Sequence, residues 1–435
     1  MPIQRSNSQR LKDATARNGS DPTSIVISLK YKEMKKLQKA LALMAMAAIM
    51  PSCGTVGLLV HTAKIMDSVN HSINYGQGGE WDTIRFVING ENRMVFKAEL
   101  NGQTDTVMYD SGVNSSTLLM YTPSTKPEGM KFYRHSVMGA DKRSKIKVTS
   151  LPVKIKTEMV ESESLGLAML NPETHYCDKE SRLDKYNIIG FQGLNIRRYM
   201  MDFTNGQIYY ITDSVVIDTT EFIPVKCKYH KNVLWVYPRI NGVEYECIFD
   251  TGNGAASFLL ADEQRVASPM HDDMVYEGSF GQAIGGLTDF QRFVIAQQET
   301  IGIAGKEDAG KVMYVKSIAH NNMGLSAISK YDWIIEQHYD RNVGVIKANE
   351  IVYKMYARPH SKDAGKPFKA PAYRVSTADG TLKILTRRID GNEKFKVGDQ
   401  IISVNGEKIT EENICYYYDL LTEAKDWSEF EIRVK

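Results

Sequence analysis

Two stretches of the sequence end in an acid that is followed by a hydroxyl residue and a glycine: Val107-Met108-Tyr109-Asp110-Ser111-Gly112 and Cys247-Ile248-Phe249-Asp250-Thr251-Gly252. In both copies the glycine of an Asn-Gly pair, Gly102 or Gly242, stands eight residues before the acid. An Asn-Gly pair between apolar runs predicts a β-hairpin, because both residues tolerate the positive φ of a tight turn. We therefore expect two hairpins, each with its acid at the end of the second strand.

The repeat continues downstream of both acids. A hydroxyl residue follows seven positions after each acid, at Thr117 and Ser257. A glycine follows 80 and 74 residues after the acids, at Gly190 and Gly324. Self-similarity over this length indicates two copies of one structural unit. The repeat predicts a mainly β fold built from two lobes.

Paired carboxylates indicate acid–base hydrolysis of a peptide bond. Such hydrolysis without a metal or a covalent intermediate needs one group that takes a proton from water and another that gives a proton to the carbonyl oxygen. Two carboxylates at contact distance share one proton and titrate as a unit, and Asp110 and Asp250 are the candidates. One such triplet alone is more typical of a surface turn, so the argument depends on the duplication. The residues expected to support the pair are Ser111, Gly112, Thr251 and Gly252.

Each lobe has room for a mobile hairpin between its acid and its later glycine. In lobe 1 this is Val137-Met138-Gly139-Ala140. In lobe 2 the glycines Gly281, Gly285 and Gly286 cluster between strand-like runs, and they give the backbone freedom to open over a substrate. We expect the second hairpin to be the flap of the site.

A third unit follows a linker that is rich in proline and glycine. Its signature is Phe395-Lys396-Val397-Gly398-Asp399-Gln400-Ile401-Ile402-Ser403-Val404-Asn405-Gly406, in which two glycine turns flank an apolar strand. A helix is predicted near residues 411–424 and a closing strand near 430–434.

The two acid triplets and the later glycines resemble the pepsin and retropepsin superfamily, and the third unit resembles a PDZ domain. Together they are most similar to bacterial single-chain retropepsin-like proteins with a C-terminal PDZ domain. The resemblance implies a bilobal β-barrel protease with a peptide cleft, catalysis by Asp110 and Asp250, and an inter-lobe hydrogen-bond grip through Ser111 and Thr251. It also implies that the PDZ-like unit receives an extended peptide or a protein C-terminus at a loop, which we place at Gly380, Thr381 and Leu382.

An apolar run at residues 40–50 follows three lysines and precedes Pro51-Ser52-Cys53, which indicates an export signal of the lipoprotein type with lipidation at Cys53. Three interpretations stay open: this lipoprotein signal, an uncleaved anchor that runs on through Leu58-Leu59-Val60, and a buried helix. The first predicts an exported protein on the periplasmic side or the cell surface, attached to the membrane by its lipid. Met34 would be a suitable start for that signal.

The composition describes a globular protein. The 54 Lys and Arg residues nearly balance the 52 Asp and Glu residues, so nothing points to nucleic acid as a partner. The five cysteines are too few for a disulfide framework, although Cys227 and Cys247 are close enough in sequence to pair across neighbouring strands. No cysteine or histidine spacing predicts a metal site, and we expect no cofactor.

The leading hypothesis is an exported aspartic endopeptidase that cuts extended polypeptides and selects substrates or partners through its PDZ-like unit. The alternative is a protease-like peptide-binding scaffold with weak or no turnover. The predicted organisation is as follows: polar extension 1–33, signal 34–53, tether 54–84, lobe 1 (85–215), lobe 2 (216–352), linker 353–370 and C-terminal module (371–435).

Overall fold

The computed structural model describes residues 53–66, 69, 73–75, 83–173, 177–180, 182–194, 196–212, 215–340, 350–360, 371–391 and 394–435. The predicted extension and signal, at residues 1–52, lie outside the described residues. Cys53 begins helix α1 (Cys53–Met66). Within the described ranges no helix is both long and apolar enough to cross a membrane. The described residues from His61 onward belong to one compact unit.

The structure is mainly β, as the sequence predicts. The strands that begin before residue 216 are β1 (Ile73–Tyr75), β2 (Thr83–Ile88), β3 (Met94–Leu100), β4 (Gln103–Asp110), β5 (Thr117–Tyr121), β6 (Tyr133–Met138), β7 (Arg143–Lys156), β8 (Val160–Leu170), β9 (Asn187–Gly190), β10 (Arg198–Asp202) and β11 (Gln207–Tyr210). A 3₁₀-helix at Leu183–Lys185 precedes β9. Strand β1 pairs with β8, so part of the predicted tether belongs to a sheet.

The strands between residues 216 and 360 are β12 (Ile223–Val225), β13 (Cys227–His230), β14 (Val233–Val236), β15 (Arg239–Ile240), β16 (Val243–Glu244), β17 (Cys247–Asp250), β18 (Phe258–Ala261), β19 (Met274–Gly278), β20 (Gln282–Ala283), β21 (Gly286–Leu287), β22 (Gln291–Ile303), β23 (Lys306–Val315), β24 (Asn321–Gly324), β25 (Tyr331–Asp340) and β26 (Glu350–Pro359). Two short helices, α2 (Glu263–Ala267) and α3 (Leu325–Ile328), complete this part. Strand β26 buries Met355 and Ala357 on one face and ends at Pro359, so residues 353–359 of the predicted linker lie in a strand.

The two lobes repeat one strand order. In lobe 1 the order is β3-β4-β9-β5-β8-β7-β6, and in lobe 2 it is β14-β17-β24-β18-β23-β22-β19. The acid strand is parallel to its glycine strand in both copies, β4 to β9 and β17 to β24. The repeat read from the sequence is therefore a structural repeat.

The Asn-Gly turns have the predicted backbone. Asn101 and Gly102 have φ of 51° and 86°, and Asn241 and Gly242 have φ of 50° and 78°. Each asparagine side chain also accepts a backbone N–H from a distant strand, Lys154 N at 2.9 Å and Thr300 N at 3.0 Å. The turns thus attach the acid hairpins to the long strands β7 and β22.

The match between Thr117 and Ser257 is off by one residue. Thr117 pairs with Ile189 and Phe258 pairs with Met323, so these two residues are equivalent. The counterpart of Ser257 is Ser116, because the backbone carbonyls of both accept the N–H of the later glycine at 3.0 and 2.8 Å. The loop after the acid is one residue longer in lobe 2 than in lobe 1. Counting seven residues from each acid therefore reaches positions that are not equivalent.

The lobes share one sheet and one core. Strands β12, β26, β25, β10, β11 and β2 lie side by side in that order, and the β10–β25 pair joins lobe 1 to lobe 2. The buried rings of Phe249 and Trp333 pack edge to face, with centroids 4.9 Å apart, between the acid strand β17 and this shared sheet. The acid strands are therefore held against a common apolar layer.

The C-terminal module consists of β27 (Tyr373–Ser376), β28 (Lys383–Arg388), β29 (Ile401–Val404), β30 (Glu407–Lys408), helix α4 (Ile414–Glu423), a 3₁₀-helix (Trp427–Glu429) and β31 (Ile432–Val434). It has its own apolar core around Leu382, Tyr417 and Trp427. Strand β28 also pairs antiparallel with β19 of lobe 2, so the sheet of lobe 2 continues into the module.

Candidate active site

Both acids stand at the end of a strand that is packed beside a glycine strand. Asp110 lies opposite Gly190 and Asp250 lies opposite Gly324 in the two parallel pairs. A Cβ at Gly190 would lie 2.0 Å from Ser115 O, and one at Gly324 would lie 2.1 Å from Ala256 O. Only glycine lets the acid loop approach so closely. The later glycines of the repeat are therefore required by the shape of the acid loops.

The two acid loops are joined by reciprocal hydrogen bonds. Ser111 N donates to Thr251 Oγ1 and Thr251 N donates to Ser111 Oγ, both at 3.0 Å. The Ser111 hydroxyl donates to Phe249 O at 2.6 Å, and the Thr251 hydroxyl donates to Tyr109 O at 2.9 Å. Each hydroxyl thus reaches past the opposite acid to the residue before it. This arrangement fixes the two acids relative to each other through buried, fully paired groups.

The support glycines bring the carboxyl groups together. A Cβ at Gly112 would lie 2.6 Å from Asp250 Cγ, and a Cβ at Gly252 would lie 2.2 Å from Asp110 Cγ. Any larger residue at either position would displace the opposite carboxyl. The backbone N–H groups of the same two glycines donate to Asp110 Oδ1 and Asp250 Oδ1, each at 3.0 Å.

The pKa values of both acids are raised above their usual range. Burial raises the pKa of Asp250 well above its usual range, and the nearby Asp110 carboxylate raises that pKa further. Burial also raises the pKa of Asp110, against the opposing effects of the Gly112 N–H and the Arg93 guanidinium. Two carboxylates in contact cannot both ionise cheaply, so this arrangement favours a pair with one proton and one negative charge.

Arg93 is a buried cation beside the pair that sequence analysis missed. It is only 9% exposed, and its guanidinium donates to the carbonyl of Gly252. Its positive charge lowers the pKa of both Asp110 and Asp250. In the sequence, Arg93 is distinguished only as a charged residue directly before the apolar run that forms β3.

Asn92 and Asn232 attach each lobe to the acid loop of the other. Asn92 Nδ2 donates to Gly254 O at 2.9 Å and to Ser326 Oγ at 3.0 Å. Asn232 Nδ2 donates to Asn114 O at 3.3 Å. Both asparagines have positive φ, and both carbonyl acceptors lie four residues after an acid. The grip between the lobes therefore extends beyond the two hydroxyl residues named from the sequence.

The flap candidates lie in a small hairpin, β20–β21, that touches the β6–β7 hairpin of lobe 1. Gly285 packs against Ser144, since a Cβ at Gly285 would lie 2.4 Å from Ser144 Cβ. The Lys142 ammonium pairs with the Asp289 carboxylate between the hairpins. Gly285 and Gly286 have positive φ, 99° and 113°. A Cβ at Gly281 or at Gly286 would meet nothing within 4 Å. Each lobe thus contributes one hairpin to a joint contact.

The residues predicted to receive a peptide in the C-terminal module lie at the turn between β27 and β28. Gly380 has φ of 76° in the β27–β28 connection, and Asp379 accepts both the N–H and the hydroxyl of Thr381. Leu382 is fully buried in the module's core. Of the three predicted groove residues, Gly380 is exposed and Thr381 half-buried, whereas Leu382 belongs to the core.

The sequence leaves open whether Cys227 and Cys247 pair with each other. Cys227 and Cys247 are both free thiols. They lie on β13 and β17, which flank β14, so they are two strand spacings or about 10 Å apart. The structure instead contains a disulfide between Cys177 and Cys415, which are 238 residues apart in sequence.

No group of three or more potential metal ligands occurs among the residues that the structure describes. Comparison of the sequence with models of known protein families finds no match, and a search of curated proteins finds none.

Proposed function

We propose that this protein is an aspartic endopeptidase in which Asp110 and Asp250 act as one catalytic unit. The observation that carries the proposal is the reciprocal contact of the two loops, in which each support glycine lies against the opposite carboxyl and each hydroxyl bonds across to the opposite strand. The strand order around both acids supports it further, since it is the same in both lobes.

The chemistry follows from the shared proton. The ionised carboxyl takes a proton from a water molecule, while the protonated carboxyl gives its proton to the carbonyl oxygen of the scissile bond. The two acids then exchange these roles when the amine leaves. Arg93 stabilises the single negative charge of the pair from within the protein, and its hydrogen bond to Gly252 O keeps the lobe 2 loop in place.

The remaining parts of the chain fit an enzyme that acts on extended polypeptides. The two touching hairpins would have to separate to admit a chain and would then close over it.

We propose export with lipidation at Cys53. The Cys177–Cys415 disulfide supports an oxidising compartment, where such bonds persist. We assign selection of substrates or partners to the PDZ-like C-terminal module.

The proposal is tested by incubating the protein with a denatured protein mixture from acid to neutral pH. We expect cleavage by the unmodified chain and a loss of about 10³-fold in Asp110→Asn and in Asp250→Asn. Asp272→Asn, at an exposed acid on a surface turn, is the matched control and should cleave normally. Cleavage that survives both dyad substitutions would refute the assignment. A fold-intact protein without cleavage would favour the peptide-binding scaffold.

A further inference from the structure

A short segment of lobe 1 is inserted into the C-terminal module. This segment, residues 177–180, contacts both the edge strand β27 and the helix α4. Cys177 is bonded to Cys415 in the first turn of α4. Lys179 lies 3.4 Å from the Asp419 carboxylate and 3.2 Å from that of Glu423, which follow one turn apart on the same helix.

The carboxylate of Glu180 is buried at the end of β27. Ser376 Oγ donates to it at 2.7 Å, Thr377 N donates at 3.1 Å, and the Thr377 hydroxyl donates as well. Glu180 is 6% exposed, and Ser376 and Thr377 are 7% and 1% exposed. Its donors are hydroxyls and a backbone N–H, a donor set that also suits recognition of a carboxylate on a peptide.

The Glu180 carboxylate thus lies where strand β27 ends, close to Tyr418 of helix α4. Strand β27 is the last described strand of its sheet, β28 separates it from lobe 2, and helix α4 packs against β27. An exposed sheet edge is where an extended peptide adds. These contacts define a second candidate groove, between β27 and α4, in addition to the β27–β28 turn named from the sequence.

We propose that segment 177–180 is an internal ligand of the groove between β27 and α4, held there by the Cys177–Cys415 disulfide, and that release of the segment opens the groove to an acidic peptide. An external peptide carboxylate then competes with Glu180 for Ser376 and Thr377. The disulfide keeps the internal ligand at high effective concentration, so the oxidised protein excludes the external one.

Reduction by an external dithiol would release the segment. Cys415 is exposed and Cys177 is buried, so a dithiol thiolate attacks the sulfur of Cys415 and the Cys177 thiolate leaves. The second thiol of the reductant then displaces Cys415. Two electrons and two protons pass to the two cysteines, and the reductant becomes a disulfide.

The inference rests on the role that the proposed function gives to the C-terminal module. Its test measures peptide binding and requires no catalytic turnover. The protein is the full chain with Asp110→Asn and Asp250→Asn, so binding can fail or succeed independently of catalysis. The probe is a fluorescent peptide that spans residues 177–184 with Cys177→Ser, acetylated and amidated at its ends. Binding is followed by fluorescence anisotropy before and after treatment with dithiothreitol.

The oxidised chain should bind the probe weakly. The reduced chain with Glu180→Gln should bind the probe at least tenfold more tightly than the oxidised chain does. A probe with Glu180→Gln should not bind, and Ser376→Ala with Thr377→Val should abolish binding. Cys227→Ser, at a free thiol, is the control for the disulfide. Circular dichroism and thermal melting establish that each variant folds. Should a variant not fold, the dithiothreitol-treated chain with native Glu180 serves, and a gain in binding over its oxidised form is expected.

Two results would overturn the inference. Equal affinity of the oxidised and released chains would show that segment 177–180 does not block the groove. A lowered melting temperature on release, without any gain in binding, would show that the segment only joins lobe 1 to the module.

Discussion

The two acid loops are held by equivalent turns, but only lobe 1 places a cation beside the acids. Asn92 and Asn232 occupy equivalent turns and donate to equivalent carbonyls, Gly254 O and Asn114 O. The next residue is Arg93 in lobe 1 and Val233 in lobe 2. A symmetric backbone therefore holds a pair of acids in an asymmetric field, and the cation from lobe 1 binds the acid loop of lobe 2. The equivalent asparagine turns position the pair, and the presence of Arg93 in lobe 1 alone affects the pKa values of the two acids.

The largest effect should come from separating the two carboxyls. Gly252→Ala would put a Cβ 2.2 Å from Asp110 Cγ, and Gly112→Ala would put one 2.6 Å from Asp250 Cγ. We expect each substitution to reduce kcat/KM by about 10³-fold, because the shared proton depends on contact. Gly302→Ala, whose Cβ would lie 3.5 Å from its nearest neighbour, is the matched control. Near-normal activity in Gly252→Ala would contradict the described geometry.

Removing the cation should come next. In Arg93→Leu the pKa of both acids should rise, because the charge that favours their ionised forms is lost. The pH profile of kcat/KM should then shift upward by about one unit. Arg93→Lys should restore part of the shift, and Arg85→Leu, at an exposed arginine on β2, should leave the profile unchanged. A profile unchanged in Arg93→Leu would rule out Arg93 as the source of the asymmetry.

The raised pKa of Asp250 also affects stability. Its folded pKa lies above its unfolded pKa, so the folded chain binds more protons between these values and unfolding free energy falls as pH rises through that window. Asp250→Asn removes this cost and should raise the melting temperature at pH 7 by about 2–4 °C. The gain should disappear in acid, where Asp250 is protonated in both states. A variant less stable than the parent at pH 7 would count against the shared proton.

The smallest effect distinguishes the two asparagines. Glycine keeps their positive φ and removes only the side chain. Asn92→Gly should cost about 1–2 kcal/mol of unfolding free energy, since it removes two described hydrogen bonds, and Asn232→Gly about 0.5 kcal/mol, since its bond is 3.3 Å long. Urea titration measures both. Equal losses would mean that the two turns contribute alike.

Features that are encoded by neighbouring residues can be predicted from the sequence. The acids, the support glycines and the Asn-Gly turns lie in short runs whose pattern is repeated, so position alone identifies them. Arg93 escaped because it precedes its acid by 17 residues and reaches the opposite loop only through the fold. The Cys177–Cys415 bond joins parts of the chain that no spacing rule connects. The burial of Leu382 in the module's core likewise depends on contacts with residues distant in sequence.

The central claim is that Asp110 and Asp250 act as one unit, and a double-substitution cycle tests it most directly. Cleavage rates of a single peptide substrate are compared for the unmodified chain, Asp110→Asn, Asp250→Asn and the double variant. We predict that each single substitution loses about 10³-fold and that the double variant loses no more than either. Losses that multiply, or one single variant that keeps near-normal activity, would contradict a shared catalytic proton.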